Sequence, residues 1–371
     1  MVTNFPAAKR VWFITDIHFG VRSNLVEWMD IQEDYFLNWF IPLCEREYKP
    51  GDILMVGGDV FDSRNAINLR VLNLGMTVFQ KLSSIFKDGI ICILGNHDCY
   101  LKSSNDINSL KPIGFIPGVH LYEEPVSVKL GHTKWLLMPW RKNHEEEGKC
   151  VQELGIGNDF LLCHADIAGM KFNKNVEVTH GCDISTYKQF KRVYSGHIHF
   201  AQKKANVNML GAPYQLTRSD SGNAKGVTIL DLSTDEETWI ENTYSPRFLS
   251  YKLDSLLDMT PEEARQRFKN NFVDLHVESN DMFKVPVSTF LSYVEGCYRE
   301  VNFRPTQDNL IDLNENKLDN FDSELSIPSL IKNYVDATGF GDTEKNRLLN
   351  TLNFLHTQAE ERKNKERMPD L

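Results

Sequence analysis

Five short apolar runs, each followed at once by residues able to hold a metal, constrain this chain more than any other feature. Val11-Trp12-Phe13-Ile14-Thr15 leads into Asp16-Ile17-His18, and Ile53-Leu54-Met55-Val56 into Gly57-Gly58-Asp59. Ile90-Ile91-Cys92-Ile93-Leu94 leads into Gly95-Asn96-His97-Asp98, Phe160-Leu161-Leu162-Cys163 into His164, and Val193-Tyr194 is followed by Gly196-His197-Ile198-His199. The runs lack polar alternation, which predicts strands covered on both faces. Helical patterns fall between them at Leu25 to Cys44 and Ile67 to Phe86, so the region to about Leu232 reads as a layered α/β domain. Val126 to Leu130 and Trp135 to Met138 read as further strands. Groups just beyond the carboxyl ends of strands in open α/β sheets meet in one crevice, so the five loops are expected to build one site.

Five of the eleven histidines sit at these strand ends. Four of these imidazoles, two carboxylates and a side-chain amide form a nitrogen and oxygen donor set of seven without thiolate, which suits manganese, iron or zinc in a reactive site better than a structural zinc cluster. The set is too large for one tetrahedral ion. A carboxylate bridging two ions about 3.5–4 Å apart uses all of it, and such a pair can activate water while neutralising a phosphate under in-line attack.

The series D-x-H, G-G-D, G-N-H-D, H and G-H-x-H, in this order, resembles the calcineurin-like metallophosphoesterase superfamily across roughly residues 10 to 235. Asn208-Met209-Leu210-Gly211-Ala212-Pro213-Tyr214, with Lys225-Gly226 downstream, looks like its SbcD branch, whose bacterial and phage members are recombination and repair nucleases. The resemblance implies an α/β/β/α sandwich with a small α+β capping domain and C-terminal helices. It implies that Asp16, His18 and His199 hold one ion, that Asn96, His164 and His197 hold the other, and that Asp59 bridges them. His97 would face the scissile phosphate as proton donor or transition-state stabiliser, and Asp98 would orient it. The implied cofactors are two divalent ions, manganese first with magnesium as a substitute in vitro. The sequence departs from many relatives in carrying Asp62 where a second substrate-side histidine is common, and Cys163 rather than glycine before His164.

At 371 residues the chain is longer than one core usually serves. The texture changes after Tyr244-Ser245-Pro246, so residues 1–245 are expected to be the nuclease domain and 246–305 a small capping, DNA-binding domain. There Thr260-Pro261-Glu262-Glu263 should start a helix, Val273, Leu275 and Val277 should lie in a strand, and Pro286 to Val301 should be helical. Residues 306–325 read as a polar linker and 326–371 as two amphipathic helices with stripes at Ile327, Ile331 and Tyr334 and at Leu348, Leu352 and Leu355.

The formal net charge is −10, which argues against gripping nucleic acid by bulk positive potential. If the chain works on DNA, local patches or a partner must supply the grip; Arg64, Lys191, Arg192, Lys203 and Lys204 are the candidate contacts, and a solvated face is the plainer reading of the basic residues. Residues 301–371 carry 9 basic against 13 acidic side chains, which favours a protein partner for the tail over DNA. The resemblance implies docking on an SbcC-type coiled-coil ATPase, and this chain has no G-x-x-x-x-G-K-[ST] loop of its own. The terminal helices capping their own domain is the plainer alternative. The family also implies a homodimer within a heterotetramer. Trp28, Tyr35, Phe36 and Trp39 are the candidate interface, and core packing explains them as well. Seven scattered cysteines without C-x-x-C, no long apolar stretch and no secretory layout at Met1 to Arg10 lead to an expected cytoplasmic location without membrane contact. The leading function is a manganese-dependent DNA exonuclease and endonuclease subunit. A phosphatase with the same centre and a DNA-end-tethering module are the alternatives.

Overall fold

The computed structural model describes residues 3–101, 104–174, 176–257, 259–277 and 292–305, with 335, 341 and 345–352 beyond them. Strands are numbered along the chain. In one six-stranded sheet, β2 (Arg10–Ile14), β3 (Asp52–Val56), β4 (Ile90–Ile93) and β7 (Val119–Tyr122) run parallel. β16 (Gly226–Asp231) pairs antiparallel with β2, and β17 (Glu237–Glu241) closes that side. The seven-stranded sheet has the order β1 (Thr3–Phe5), β8 (Val126–Leu130), β9 (Thr133–Met138), β10 (Phe160–His164), β13 (Arg192–Gly196), β15 (Val207–Met209) and β14 (Gln202–Lys204). A hairpin of β5 (Cys99–Leu101) and β6 (Ser104–Asn108) and a short pair of β11 (Ile167–Ala168) and β12 (Cys182–Asp183) lie outside these sheets.

The period-two geometry of a strand explains why the runs are apolar throughout. Val11 and Phe13 of β2, Ile53 and Met55 of β3, and Ile91 and Ile93 of β4 face the other sheet, where they meet Val128, Trp135, Leu137, Leu162 and Tyr194. Trp12, Ile14, Leu54, Val56, Ile90 and Cys92 point the opposite way, against helical residues such as Phe36, Val71, Val78 and Phe79. The seven-stranded sheet repeats the pattern: Leu136, Met138, Leu161, Cys163 and Val193 turn outward onto Val151, Tyr187 and Phe190. The result is the four-layer α/β/β/α arrangement. Each such large side chain removed from water contributes roughly 1.5–3 kcal/mol before the cost of ordering it.

Local chemistry sets the helices. Asn68 caps Leu69–Ile85 through its side chain, and Val71, Leu74, Val78, Phe79 and Leu82 form the buried face at helical spacing. The expected helix from Leu25 to Cys44 is three pieces, Val26–Asp34, a π-helical turn Tyr35–Phe40 and Ile41–Glu47. The wide turn brings Tyr35, Phe36 and Phe40 into the core, with Trp39 partly buried against it. Trp28 is also buried, stacked on Phe248 and Phe272. Trp28, Tyr35 and Phe36 are therefore core residues and not an exposed interface.

The helix His144–Leu154, capped by Asn143, places Glu147 inside the protein. Tyr187 Oη donates to Glu147 Oε1 at 2.5 Å, while Glu147 Oε2 and His144 Nδ1 face each other at 3.7 Å and have no hydrogen-bond partner among the described residues. Burial pushes the carboxyl up to about 7, partly opposed by the Tyr187 hydrogen bond. The folded protein therefore binds this proton more tightly than the unfolded chain, and stability declines as pH rises from about 4.5 to about 7. Glu147→Gln should remove that decline and be about 2 kcal/mol more stable than wild type at alkaline pH, with the gap closing toward pH ~4. Denaturant melts across that range measure it.

Beyond Pro246, β18 (Phe248–Lys252), β19 (Phe272–Val277) and β20 (Glu300–Pro305) form a parallel three-stranded sheet, with a helix at Pro261–Phe268 capped reciprocally by Thr260 and Glu263. The helix expected to reach Val301 does not, because Glu300 and Val301 pair with Phe272 and Val273 in β20. Residues 286–291 lie outside the described residues, as do the linker 306–325 and most of 326–371; residues 345–352 are helical. Residues 1–306 form one compact unit and 307–371 another.

Candidate metal centre

The parallel strands β2, β3 and β4 send Asp16, Asp59 and Asn96 off one end of their sheet, while β10 and β13 bring His164 and His197 from the other sheet. Two contacts tie these ends together: His164 Nδ1 donates to the Gly57 carbonyl at 2.8 Å, and the His197 N–H donates to Asp16 Oδ1 at 3.0 Å. The backbone is contorted here. Asp16, His18, Asp59 and His197 all have positive φ, at 53°, 50°, 52° and 83°. Such conformations are costly for these residues, and their concentration at one place is a mark of a functional site. Gly95 is required by close approach, because a Cβ there would collide with Asp59 and the His164 ring.

Asp59 is the centre of the arrangement. Its Oδ2 lies 3.6 Å from His18 Nε2 and 3.3 Å from His164 Nε2, so one oxygen serves two groups of donors. On one side His18 Nε2 is 3.1 Å from His199 Nε2, and Asp16 Oδ1 is 3.9 Å from the same His199 atom. On the other, Asn96 Oδ1 is 3.1 Å from His164 Nε2 and 2.7 Å from His197 Nδ1. Asp16, His18 and His199 thus form one cluster of ligand atoms, and Asp59, His164 and His197 another, with Asn96 joining the second. His97 lies beside His18 and Asp59.

The charges agree with a site built for cations. Burial opposes charge on His164, but Asp59 and Asp16 raise it to about 9. Burial also acts to raise Asp59, yet His164 and His18 hold it well below the usual carboxylate range. His199 is pushed well below its usual value, first by burial and then by His18. Its nitrogen therefore keeps a lone pair. Imidazole nitrogens and carboxylate oxygens turned toward common points, without thiolate, fit two divalent ions.

Gln32 and Asp166 are positioning residues that the sequence did not single out, and Asp62 and Asp98 act differently from their sequence reading. Gln32, wholly buried, donates to the carbonyls of Ile17 and His18 and accepts from the Gly20 N–H, fixing the loop that carries Asp16 and His18. Asp62 accepts from His18 Nδ1 at 3.1 Å, and its carbonyl lies 2.7 Å from His97 Nδ1. Asp166 lies 2.8 Å from His197 Nε2 and 3.3 Å from His180 Nε2. The only sequence signal for Asp166 is its place two residues after His164. Asp98 differs from the expectation: its carboxylate accepts backbone N–H groups from Asp59, Val60, Phe61 and Gly95 and the Ser109 hydroxyl, while the His97 ring is held by Asp62. A carboxylate behind a ligating histidine fixes its tautomer and ring plane. Asp166→Asn is expected to weaken metal affinity by about 10–100-fold, measured by calorimetric titration of manganese into the metal-free protein.

The expected DNA contacts divide. Arg64 is near enough to His97 to lower its proton affinity. Lys191 and Arg192 pair with Asp235 at 2.7 and 3.1 Å, Lys203 pairs with Glu237, and Lys204 Nζ donates to the Gly169 carbonyl. Arg192 starts β13 while His197 follows its end, the strand between them spanning about 13 Å from Arg192 to Gly196. These four residues engage Asp235, Glu237 or the Gly169 carbonyl and are not among the residues gathered around Asp59.

A family match covers the residues of this centre. The family model described as calcineurin-like phosphoesterase matches residues 9–203, more than half of the chain. Exonuclease subunit 1 of Enterobacteria phage T4 is 26% identical over 309 residues, covering 81% of this chain and 86% of the phage protein. Among solved structures, an archaeal phosphodiesterase matches 63% of this chain and 99% of its own at 14% identity and a TM-score of 0.33. A protein of unknown function from Aquifex aeolicus matches 49% and 93% at 15% identity and a TM-score of 0.27. The matched span runs from just before β2 to β14 and takes in every residue gathered around Asp59, and on that match the chain belongs to the calcineurin-like phosphoesterase family.

Proposed function

We propose that this enzyme hydrolyses phosphodiesters in DNA, as the nuclease subunit of an SbcCD-like repair and recombination complex using two divalent ions, manganese first and magnesium as a substitute. The observation that carries the chemistry is Asp59 Oδ2 lying within 3.6 Å of donors on both sides. The DNA substrate rests on the similarity to the phage exonuclease subunit over most of both chains. Asp16, His18 and His199 would hold one ion, Asn96, His164 and His197 the other, and Asp59 both. When bound, the ions supply Lewis acidity that activates water and offsets phosphate charge.

The chain's own residues do the rest. The Asp62 carbonyl accepts from His97 Nδ1, so Nε2 is the atom that gains and loses a proton, and it is the one suited to protonating the departing sugar oxygen. The His97 N–H donates to Asp59 Oδ1 at 2.7 Å, so the same residue steadies the bridging carboxylate. Asp98 holds the Gly95 and Asp59 loops together. An SbcC-type ATPase bound by the acidic C-terminal region, a homodimer within a heterotetramer and a cytoplasmic setting belong to the same reading. Among the described residues no helix is long and apolar enough to cross a membrane, and the seven cysteines are unpaired.

Purified full chain should cut end-labelled duplex or hairpin DNA with manganese and turn over a chromogenic phosphomonoester poorly. Phosphomonoester turnover without DNA cleavage would replace this reading with a phosphatase.

A further inference from the structure

The layer between the two sheets is apolar at its centre, where Phe13 stacks on Tyr194 at 4.2 Å beside Trp135. At the edge formed by β14 and β17 its character changes. Cross-strand register puts Lys203 opposite Asn208, and Trp239 opposite Thr228, and all four line one cavity of about 280 Å³ together with Gln202, Met209 and Glu237. Inward positions that would close a sandwich with apolar side chains are here an amide, a hydroxyl, an ion pair and an indole.

Two details indicate a ligand. Asn208 is 7% exposed, and its Nδ2 donor has no hydrogen-bond partner among the described residues. Trp239, on the wall of the same cavity, is 42% exposed. A buried unpartnered donor beside an open indole suits a flat ring bearing a carbonyl or ring-nitrogen acceptor. An adjoining groove of about 540 Å³ shares Lys203, Asn208 and Glu237 and adds Lys191 and Arg192, so that three cations face the two carboxylates Glu237 and Asp235 with which they pair. A flat ring joined to an anionic group therefore matches the combined surface. Ala201 and Gln202 line the cavity and follow His199 by two and three residues, so the pocket opens beside the loop that carries a metal-centre residue.

We propose that this open edge of the sandwich binds an unpaired nucleobase, stacked on Trp239 with an acceptor toward Asn208 and its phosphate toward Lys203 and Lys191. The site holds a single-stranded segment clear of the metal centre. The choice of a DNA base rests on the nuclease reading, but binding itself does not require cleavage.

The test is fluorescence anisotropy of a labelled short oligothymidylate with the full chain in EDTA, where hydrolysis cannot intervene. Trp239→Ala should weaken binding about tenfold and Trp239→Phe should restore most of it, since stacking is tolerant of ring type. Against an oligomer with abasic sugars in place of the bases, wild type and Trp239→Ala should bind alike. Thymidine monophosphate as competitor separates the sources of the same chemistry: competition lost in Trp239→Ala assigns a free nucleotide, and a Trp239 effect confined to the oligomer assigns a strand. Equal affinity of wild type and Trp239→Ala for oligothymidylate would overturn the proposal. An equal loss on the abasic oligomer would do so too, because the effect would then not come from a base. Normal binding in a preparation that fails to cut DNA would leave the pocket standing while removing the nuclease assignment.

Discussion

Replacing His97 by alanine is expected to lower phosphodiester hydrolysis by about a hundred- to ten-thousand-fold while leaving manganese uptake little changed. The two effects separate because His97 contributes through two different atoms. Its backbone N–H holds Asp59 Oδ1, and alanine keeps that bond. Its ring is held at Nδ1 by the Asp62 carbonyl and packs edge-on against His18, which leaves Nε2 as the nitrogen not tied to Asp62; burial also holds the imidazole below its usual range. Truncation removes the proton donor and leaves the carboxylate in place. The loss should appear in kcat more than in KM. If manganese affinity fell in parallel with activity, His97 would be a ligand instead, which its place beside His18 and Asp59 makes the specific alternative to exclude.

Asp98→Ala should be the most damaging substitution for stability, costing about 5 kcal/mol or more, a large share of what holds a typical protein folded. The wholly buried Asp98 carboxylate accepts from the N–H groups of Asp59 at 2.8 Å, Gly95 at 2.9 Å, Val60 at 3.1 Å and Phe61 at 3.3 Å, and from the Ser109 hydroxyl at 3.2 Å. Burial and the neighbouring Asp59 raise its pKa to about 6, and the hydrogen bonds from Gly95 and Phe61 oppose that rise. Alanine would strand those donors in the interior. Asparagine should recover part of the loss, because one oxygen remains. Guanidinium melts of the three proteins give the comparison, and an Asp98→Ala melt matching wild type would show that the loops are held by other contacts.

What the sequence revealed follows from how local each signal is. An apolar run that stops at Asp16, Asp59 or His164 announces a strand end with a polar side chain just beyond it, so the strands and the side chains that gather at their ends were readable. Which sheet a run enters was not, since a strand covered on both faces reads the same in either. β2, β3 and β4 fall in one sheet and β10 and β13 in the other, and the loops meet through contacts such as His164 to Gly57. Asp98 was misread for a related reason: it adjoins His97 in sequence, but its bonds go largely to a loop 37 to 39 residues earlier. Gln32 and Asp166 act on backbone or ring atoms brought near by folding, and carry no motif. The strand at Glu300 was hidden because its neighbour in the sheet is Phe272, outside any local pattern.

Asp59 as the shared carboxylate of a two-ion centre is tested most directly by titrating manganese calorimetrically into the metal-free full chain and into Asp59→Asn. Wild type should take up two ions per chain, and the variant should lose affinity at both positions, because one oxygen faces His18 and His164 alike. One ion per wild-type chain, or a variant that keeps one site at full strength, would contradict it.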